Sequence, residues 1–500
     1  MSDTSDLPAR LRAALVDSGF TYGGVADLLG PAAHEALGRN ETTPALRRTT
    51  AGAPLETLVR LFLLQAPVPL EAAERALPGL VDALTGEGFL ERSVDEVTAR
   101  LDCRPYAADD TELWVVSDLT PGLDGGPQQA RPDHVLGISS ASTSLAQLTI
   151  REPVGTALDL GTGCGVQALH LAAHADRVVA TDVNQRALAI TRFNAALNEM
   201  PAIEVRDGSY FDPVAADRFD LIATNPPFVI SPATGDRLVY RDSGLPGDRV
   251  VEQIVRAAPA HLTEGGWCQV LANWAIERGR PWDDRLAGWL DPACDVLVVQ
   301  REVVDPATYV ELWLKDSGHH GGTGYRQRYD AWLGWFEEQG IEGVGFGWIN
   351  LRRGGSEHRL LEWPYDVEQP IAPAIAAWGA ALGAEVALDT RLTARADLRQ
   401  ETVGPVGAEH PETIVLRQQR GFRRARTVDT VVAALVGACD GDLSVGQILA
   451  AVAELLDLDA DESRTTYLPV LRELVEEGYL LLGAEPSSEP MSSPSLSTAR

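Results

Sequence analysis

The chain has 500 residues and a formal net charge of −30 at pH 7, with 45% hydrophobic and 23% charged residues. One hydrophobic core rarely serves so long a chain, so we expect two to four domains. The acidic charge argues against a protein coated in the basic surface that a long phosphate-tracking groove needs.

The first predicted domain covers residues 1–125 and is mainly helical. Apolar residues recur near period 3.6 over residues 7–65, the pattern of helices that bury one face. A second helical pattern over residues 70–92 ends in Gly-Glu-Gly-Phe-Leu-Glu, a glycine-closed helix before a short strand, typical of a winged helix. Residues 97–119 alternate and predict a β-hairpin. Glycines and prolines in residues 120–132 mark the domain boundary.

The second predicted domain covers residues 133–353, where strands and helices alternate. Strands separated by helices imply a parallel sheet with right-handed crossovers. The predicted elements are strand 156–160, helix 165–175, strand 177–182, helix 185–198, strands 202–206 and 219–224, helix 248–261 and strand 266–272.

Three polar or glycine-rich turns follow the predicted strands. In Asp159-Leu-Gly-Thr-Gly-Cys-Gly165 the glycines allow a sharp turn that approaches a ligand closely. Besides binding of another small ligand, the same pattern allows dinucleotide binding or a strand-to-helix turn that binds nothing. Asp182 closes the second strand, where a carboxylate can accept both hydroxyls of a ribose or support the start of the next helix. Asp207-Gly208 follows the third strand and is also compatible with an ordinary turn.

The tetrapeptide Asn225-Pro226-Pro227-Phe228 follows the strand at 219–224. Two prolines fix the backbone in a stiff turn and remove two backbone donors. The Asn225 side-chain oxygen and a backbone carbonyl then face outward as acceptors for a planar NH2 group, and Phe228 can lie flat against the group that carries it. A rigid turn with Phe228 as a core aromatic is the alternative.

Together the glycine turn and the Asn-Pro-Pro-Phe tetrapeptide resemble the class I S-adenosylmethionine-dependent methyltransferases of the Asn-Pro-Pro-aromatic group. The resemblance covers residues 134–300 and includes the helix, turn and strand of Gly247–Gly266. This segment is similar to release-factor glutamine methyltransferases and to small-domain ribosomal RNA guanine methyltransferases. The glutamine enzymes usually carry Tyr where Phe228 stands. The resemblance implies a Rossmann-like, mostly parallel seven-stranded sheet whose last strands, Asp295–Gln300 and Gly343–Leu351, form an antiparallel hairpin at the edge.

The resemblance also implies S-adenosyl-L-methionine as cofactor. The glycine turn would contact its methionine portion, the carboxylate at the end of the second strand its ribose, and the turn after the third strand its adenine. The implied cofactor residues are Asp159, Gly161, Gly163, Gly165, Asp182, Asp207, Gly208 and Asn225. Asn225 and the Pro226 carbonyl would hold the two hydrogens of the acceptor, which directs the nitrogen lone pair at the methyl group. The implied catalytic residues are Asn225, Pro226, Pro227 and Phe228.

Two further polar groups in this domain allow a local structural interpretation. Ser139, Ser140 and Ser142 either lie over the methionine end of the cofactor or cap a helix. The adjacent pair His319-His320 is interpreted as a loop, because neighbouring histidines diverge and no carboxylate stands at ligand spacing. No metal is expected.

The third predicted domain covers residues 354–484, followed by a Ser/Pro-rich tail, 485–500, expected to be disordered. Its end resembles the winged-helix ending near residue 88, and Ser444 is a predicted helix N-cap. The predicted elements are a helix near 374–382, β segments Glu385–Leu388 and Thr413–Leu416, and helices Val428–Ala438, Ser444–Leu456 and Thr465–Glu477.

A dense basic run stands out in this acidic chain. Its members are Arg417, Arg420, Arg423, Arg424 and Arg426. The run could clamp RNA phosphates or an acidic partner. Equally, it could be a solvated face paired with the protein's own carboxylates.

The sequence thus favours a cytoplasmic N-methyltransferase. No apolar run approaches the roughly 18–20 residues that span a bilayer, and residues 1–8 lack a secretory pattern. Five scattered cysteines favour a reducing compartment without disulfides or zinc. The first hypothesis for the methyl acceptor is a base in ribosomal or transfer RNA. The alternatives are a glutamine side chain of a translation factor or other protein, and a small-molecule amine.

Overall fold

The computed structural model describes residues 6–108, 111–126, 131–232, 241, 244–318, 322–406 and 411–483. The described residues within 1–146 and 151–363 form one compact unit, and those within 147–150 and 364–496 form a second. His319, His320 and the predicted tail lie outside the described residues.

The N-terminal part of the first unit is helical, as its apolar periodicity predicts. Leu11, Leu15 and Leu29 are fully or almost fully buried on the inner helix faces. The helices are α1 (Leu7–Asp17), α2 (Tyr22–Gly38), α3 (Thr43–Leu46), α4 (Pro54–Leu58, continued by a π-helical turn at Val59–Leu63), α5 (Leu70–Ala76) and α6 (Val81–Gly86).

Five short strands accompany these helices. They are β1 (Val68–Pro69), β2 (Leu90–Arg92), β3 (Glu96–Ala99), β4 (Leu101–Ala108) and β5 (Thr111–Asp118). Strands β1 to β3 form a sheet in the order β1-β3-β2, in which β2 and β3 follow the glycine-closed helix α6 and β1 precedes it. Strands β4 and β5 pair antiparallel, with Leu101 opposite Asp118, which confirms the predicted hairpin.

The central sheet of the first unit contains eight strands in the described part of the chain, where seven were expected. Its order is β13-β11-β12-β10-β9-β6-β7-β8. The strands are β6 (Val154–Leu160), β7 (Ala175–Asp182), β8 (Ile203–Asp207), β9 (Phe219–Thr224), β10 (Leu262–Glu277), β11 (Cys294–Val304), β12 (Ile341–Arg353) and β13 (His358–Glu362). Only the two pairings of β12 are antiparallel, so the sheet is mostly parallel, as predicted.

Helices connect these strands. They are α7 (Ser140–Leu148), α8 (Val166–Leu171), α9 (Gln185–Leu197), α10 (Arg249–Ala257), α11 (Trp282–Ala287), α12 (Pro306–Asp316) and α13 (Tyr325–Gln339). Helix α10 is an example of how sequence dictates packing, since Val250, Val251 and Ile254 are buried while the residues between them are polar. The apolar run of β11 is buried over its first seven residues, as expected for an interior strand.

The predicted edge hairpin is wrong in two respects. Strands β11 and β12 do pair antiparallel, but helices α12 and α13 lie between them in the chain. In addition, β13 pairs parallel with β11 on its outer side, so β11 is not an edge strand. Strand β13 escapes sequence reasoning because its side chains are all exposed or half-buried, which gives no apolar signal.

The second unit combines helices with two small three-stranded sheets. Its strands are β14 (Arg391–Ala394), β15 (Leu398–Val403), β16 (Thr413–Gln418), β17 (Ala425–Val428), β18 (Asp440–Ser444) and β19 (Leu480–Leu482), in the orders β18-β14-β19 and β15-β16-β17. Its helices are α14 (Ala372–Leu382), α15 (Thr430–Gly437), α16 (Val445–Leu455) and α17 (Ala460–Glu476).

Two predictions for the second unit have different outcomes. Ser444 is the N-cap of α16 and forms a capping box with Gln447, as its residue type predicts. The predicted β segment Glu385–Leu388 is wrong, because these residues form coil and a turn, and the strand begins later at Arg391. There, pairing of β14 between β18 and β19 selects the strand, and pairing of this kind is invisible in local sequence.

Two of the five arginines of the basic run form close pairs with carboxylates of the second unit. Arg417 forms two hydrogen bonds to Glu401, at 2.6 and 3.1 Å. Arg426 pairs with both Glu473 and Glu477, at 2.7 and 3.0 Å. Because these guanidinium groups already face carboxylates, fewer charges of the run remain for a phosphate backbone.

The first unit contains a buried ion pair, which gives a test of the fold. Both oxygens of Asp248 accept hydrogen bonds from Arg285 at 2.8 Å, and the two side chains are 4% and 11% exposed. Replacing Arg285 by Met leaves the carboxylate buried beside a single backbone donor, Ala275 N. We expect the free energy of unfolding to fall by about 3 kcal/mol or more, measured by chemical denaturation.

The control is Arg75→Met, which breaks an exposed pair with Glu71 one helical turn away. Exposed pairs contribute about 0–1 kcal/mol, so the unfolding midpoint should hardly move. Equal destabilisation by the two substitutions would contradict the assigned role of the buried pair.

Candidate active site

A cavity of about 500 Å³ opens at the carboxyl ends of β6, β7 and β9. The chain proceeds from β6 outward to β7 and β8, then returns to the other side of β6 as β9, so the strand order reverses here. Ligands of open α/β sheets bind at such a reversal. The main lining segments are His134–Gly137, Asp159–Cys164, Thr181–Asn184, Gly208–Tyr210 and Thr224–Pro227, with Ser139, Ser142, Val166, Gln167, Ala187, Leu245, Gln253 and Ile254.

The glycine turn after β6 has the conformation that its sequence predicts. Gly161, Gly163 and Gly165 have φ angles of 79°, 58° and 85°, in the region that favours glycine. A Cβ atom on Gly165 would lie 2.9 Å from the Thr191 side chain, so this glycine also allows close packing. Beside Gly161 and Gly163 a Cβ would meet no atom within 4 Å, which leaves open space at the turn.

Asp159 supports this turn from below. It is 1% exposed, and its Oδ2 accepts hydrogen bonds from the Thr162 hydroxyl at 2.6 Å and from Ala168 N at 2.9 Å. Burial raises the pKa of Asp159 to about 7, although these two hydrogen bonds oppose the rise. The carboxyl group therefore ties the start of the turn to the first turn of α8.

Asp182, at the end of β7, lies between the glycine turn and α9. Its Oδ2 accepts a hydrogen bond from Gly163 N at 2.9 Å and its Oδ1 accepts one from Asn184 N at 2.8 Å. Burial raises its pKa. The N-cap of α9 is Asn184 itself, whose side chain accepts from Arg186 N, so Asp182 can line the cavity while Asn184 caps the helix.

The turn after β8 divides between surface and cavity. Asp207 is exposed and is not among the residues that line the cavity, whereas Gly208 is. Gly208 has a φ of 154°, and a Cβ there would lie 2.9 Å from Pro213. The glycine, rather than the neighbouring carboxylate, therefore forms this part of the wall.

The Asn-Pro-Pro-Phe tetrapeptide leaves the sheet beside the glycine turn. Leu160 is opposite Thr224 in the parallel pair of β6 and β9, so the next residues, Gly161 and Asn225, emerge side by side. Asn225, Pro226 and Pro227 line the cavity. The side-chain oxygen of Asn225 is buried and accepts no hydrogen bond from the described residues, which leaves an acceptor available at this wall.

Phe228 occupies a different position from its three predecessors. It is half-buried, meets the Trp313 ring edge-on at a centroid distance of 6.4 Å, and does not line the cavity. The Phe228 ring therefore packs against helix α12. The expected flat contact with an acceptor group stays a prediction.

Helices α12 and α13 hold the segment after the tetrapeptide, a role that sequence reasoning missed. The Tyr309 hydroxyl accepts a hydrogen bond from Ile230 N at 2.8 Å, and Trp332 Nε1 donates one to Ile230 O at 3.0 Å. The two helices thus satisfy both backbone groups of Ile230. The available signal was the high density of aromatic residues over residues 309–336.

Serines and a glutamine form another part of the cavity wall. Ser139 and Ser142 cap each other through Ser139 N to Ser142 Oγ at 2.8 Å and Ser142 N to Ser139 Oγ at 3.3 Å. Both line the cavity, so the two interpretations of these serines are compatible, whereas Ser140 does not line it. Gln167 donates to Ser142 O at 2.6 Å. Its side chain is 5% exposed, and in the described part of the chain its Oε1 has no partner.

Metal sites, cysteines and membrane-spanning helices were searched for among the described residues. Among them, no group of three or more histidine, cysteine or acidic side chains is arranged to hold a metal ion. All five cysteines are buried and unpaired. The described helices include none with the length and apolar character needed to cross a bilayer.

The raised pKa of Asp159 predicts a pH effect on stability. Its folded pKa of about 7 exceeds the unfolded value of 3.8, so the native carboxyl holds a proton that the unfolded chain releases. Stability is therefore lost as the pH rises from about 4 to about 7. As the pH rises from 5 to 8, the free energy of unfolding of wild type should fall by about 1–3 kcal/mol relative to that of Asp159→Asn, measured by urea denaturation.

Asp220→Asn is a control of opposite sign. Burial raises the pKa of Asp220, but hydrogen bonds from Thr263 and Thr156 outweigh it and leave the pKa below its ordinary value. The charged form therefore stabilises the fold above that ordinary value. The Asp220 variant should lose stability relative to wild type as the pH rises towards about 4, and its curve should run parallel to that of wild type from pH 5 to pH 8. Parallel curves for wild type and the Asp159 variant over pH 5 to pH 8 would contradict the assignment.

The sequence was compared with protein-family models. Residues 137–280 match a model described as a methyltransferase small domain. Residues 17–100 and 376–482 each match a model described as a domain of unknown function.

Several curated relatives align with the cavity-forming segment. A release factor glutamine methyltransferase from Aliivibrio fischeri is 39% identical over 138 residues, 24% of this chain and 46% of its own. One from Yersinia pestis is 32% identical over 179 residues, 34% of this chain and 62% of its own. A ribosomal RNA small subunit methyltransferase C from Hamiltonella defensa is 34% identical over 122 residues, 24% of this chain and 32% of its own. The chain therefore spans less than two thirds of the length of each relative.

Among solved structures, the T. thermophilus 16S rRNA N2 G1207 methyltransferase in complex with AdoMet and guanosine aligns over 46% of this chain and 60% of its own. The identity is 18% and the TM-score 0.28. The family match and the strand order described above agree with one another. Residues 137–280 match the methyltransferase small domain model, and the α/β sheet that contains them is mostly parallel, as expected of the class I methyltransferase fold.

Proposed function

We propose that the protein is an S-adenosylmethionine-dependent N-methyltransferase that acts on a planar amide or exocyclic amine nitrogen. The observation that carries this proposal is the side-chain oxygen of Asn225 beside the glycine turn, which is buried and has no hydrogen-bond partner among the described residues. A buried acceptor without a partner destabilises a fold unless a ligand supplies the donor.

The cavity residues fit the methyl donor. Its volume of about 500 Å³ falls within the roughly 300–1,000 Å³ of sites for small ligands. Open space beside Gly161 and Gly163 allows a ligand to approach the backbone closely. Asp182 offers carboxylate oxygens to hydroxyl groups, while Gly208 and Tyr210 line the wall near β8. When bound there, S-adenosyl-L-methionine supplies a reactive sulfonium methyl group.

Asn225 and its neighbours would position the acceptor nitrogen. The Asn225 oxygen and the Pro226 carbonyl accept the two hydrogens of an NH2 group, which directs the nitrogen lone pair into the cavity for in-line transfer. A donor bound beside this corner would supply the methyl group and leave as a neutral thioether, and the methylated nitrogen would release a proton to water. Two consecutive prolines keep this corner stiff, and the hydrogen bonds of Tyr309 and Trp332 to Ile230 fix the segment that follows.

Two acceptor classes match this chemistry. The first is a base of ribosomal or transfer RNA, since one relative is named a ribosomal RNA methyltransferase. The helices and strands of residues 68–99, in the sheet order β1-β3-β2, are compatible with a winged-helix module that presents nucleic acid.

The second acceptor is a glutamine side chain in a protein. Relatives named release factor and ribosomal protein uL3 glutamine methyltransferases support it. The net charge of −30 and the carboxylates that engage Arg417 and Arg426 also favour a protein over a phosphate backbone. Either reaction fits the cytoplasm, where the five unpaired cysteines remain reduced.

Replacing Asn225 by Ala tests the proposed positioning. We expect methyl transfer to fall by about 10²-fold or more, since an acceptor held by one fewer group loses its near-attack geometry. Binding of S-adenosylhomocysteine, measured by calorimetry, should change little. Asp182→Ala is the reciprocal control and should weaken that binding first. If the Asn225 variant lost ligand binding and transfer to the same extent, the residue would not act on the acceptor.

The acceptor class can be identified by labelling. Extract from a deletion strain, incubated with the protein and tritiated S-adenosylmethionine, is separated into RNA, protein and small molecules. We expect label in the RNA or protein fraction that depends on Asn225. Label in RNA identifies the base, label in protein identifies the amide, and label confined to small molecules or absent would contradict both.

A further inference from the structure

We propose that Asp118, the last residue of hairpin strand β5, is a positioning residue for the cavity, so that the N-terminal hairpin is part of the donor site. This inference rests on the proposed function, because it takes the cavity to be the place where the donor binds. The family model that matches residues 137–280 begins after this hairpin.

Asp118 holds one wall of the cavity through two reciprocal hydrogen bonds. Its Oδ2 accepts from Val135 N at 2.8 Å, and its own backbone N–H donates to Val135 O at 3.1 Å. His134, Val135 and Leu136 all line the cavity. The path of this wall is therefore set by a residue of the hairpin rather than by the sheet beneath it.

The same carboxylate holds the start of helix α9. Arg186 Nε lies 3.1 Å from Oδ1 and 3.2 Å from Oδ2 of Asp118. Asn184 and Ala187, close to Arg186 in the chain, also line the cavity. Asp118 thus joins two separate stretches of the lining.

The surroundings of Asp118 keep it charged. It is 7% exposed, and burial alone would raise its pKa. The Arg186 and Val135 hydrogen bonds and the charges of Arg186 and His134 outweigh burial and lower the pKa. A charged carboxylate can serve both of its partners at once, because each oxygen accepts more than one hydrogen bond.

Asn194 of α9 and Asn198, the C-cap of that helix, fix the hairpin to α9. Asn198 accepts from Trp114 N at 2.9 Å and donates to Trp114 O at 2.8 Å, and Asn194 makes the same pair with Val116 at 2.8 Å. These amides continue the hydrogen-bonding pattern of the β5 edge, as another strand would. Asn194 also donates to Cys164 O in the glycine turn at 2.8 Å.

The hairpin is consequently tied to three parts of the cavity. Asp118 reaches the wall at residues 134–136 and the start of α9, and Asn194 links Val116 to the glycine turn. A ligand that binds the assembled cavity should therefore stabilise the hairpin, and damage to Asp118 should weaken the ligand.

The experiment compares Asp118→Asn with wild type in the full chain, using S-adenosylhomocysteine as probe and calorimetry as readout. An asparagine has no charge and replaces one acceptor oxygen by an NH2 donor, so it loses the ion pair with Arg186 and turns a donor towards either Arg186 or Val135 N. We expect the dissociation constant to rise by about tenfold or more. Addition of the probe to wild type should also slow amide hydrogen exchange in residues 111–118.

Asp102→Asn is the matched control. Asp102 is a carboxylate of the same hairpin, 2% exposed, and its Oδ2 accepts from Arg104 at 3.0 Å. Arg104 does not line the cavity, so this variant should lose stability but bind the probe within about twofold of wild type.

The outcomes separate the two proposals. If wild type does not bind the probe, the proposed function fails and the inference fails with it. If wild type binds and both variants weaken binding equally, or the Asp118 variant binds as wild type does, the positioning role is overturned while the function stands. If the Asp118 variant does not fold, unchanged exchange in residues 111–118 on addition of the probe to wild type overturns the role.

Discussion

The site depends on one constraint, the parallel pairing of β6 with β7 on one side and β9 on the other. Parallel neighbours end at the same edge, so whatever follows each strand is delivered to one place. The glycine turn, Asp182 and Asn225 follow these three strands and meet at the cavity. Gly161 and Asn225 are 64 positions apart in the chain, yet the register of a few backbone hydrogen bonds brings them together.

Around that edge the protein uses carboxylates in different ways. Asp159 is buried beneath the glycine turn and ties it to α8. Asp182 accepts a hydrogen bond from Gly163 N and also lines the cavity. Asp118 joins the wall at residues 134–136 to Arg186. Each carboxylate orders backbone that could not order itself, since loops of this kind lack the repeating hydrogen bonds of helices and strands.

Helices α12 and α13 order the loop that follows the tetrapeptide. They interrupt the chain between β11 and β12, and through Tyr309 and Trp332 they satisfy the backbone of Ile230 just after the tetrapeptide. Phe228 packs against Trp313 rather than facing the cavity. The segment after the tetrapeptide is therefore held by two helices that the glycine turn and the tetrapeptide alone do not reveal.

Local sequence determined the alternation of strands and helices, the positive φ angles of the glycine turn, the Ser444 cap and the placement of Asn225 after a strand. These follow from periodicity, from the conformational freedom of glycine and from the stiffness of proline, all of which act over a few residues. Only the tertiary structure decided that β13 and β14 form strands, that Asp207 faces solvent, and that Asp118 reaches Arg186 across 68 positions. The reason is physical: pairing partners and buried ion pairs are chosen by the whole packed chain, and no local pattern records them.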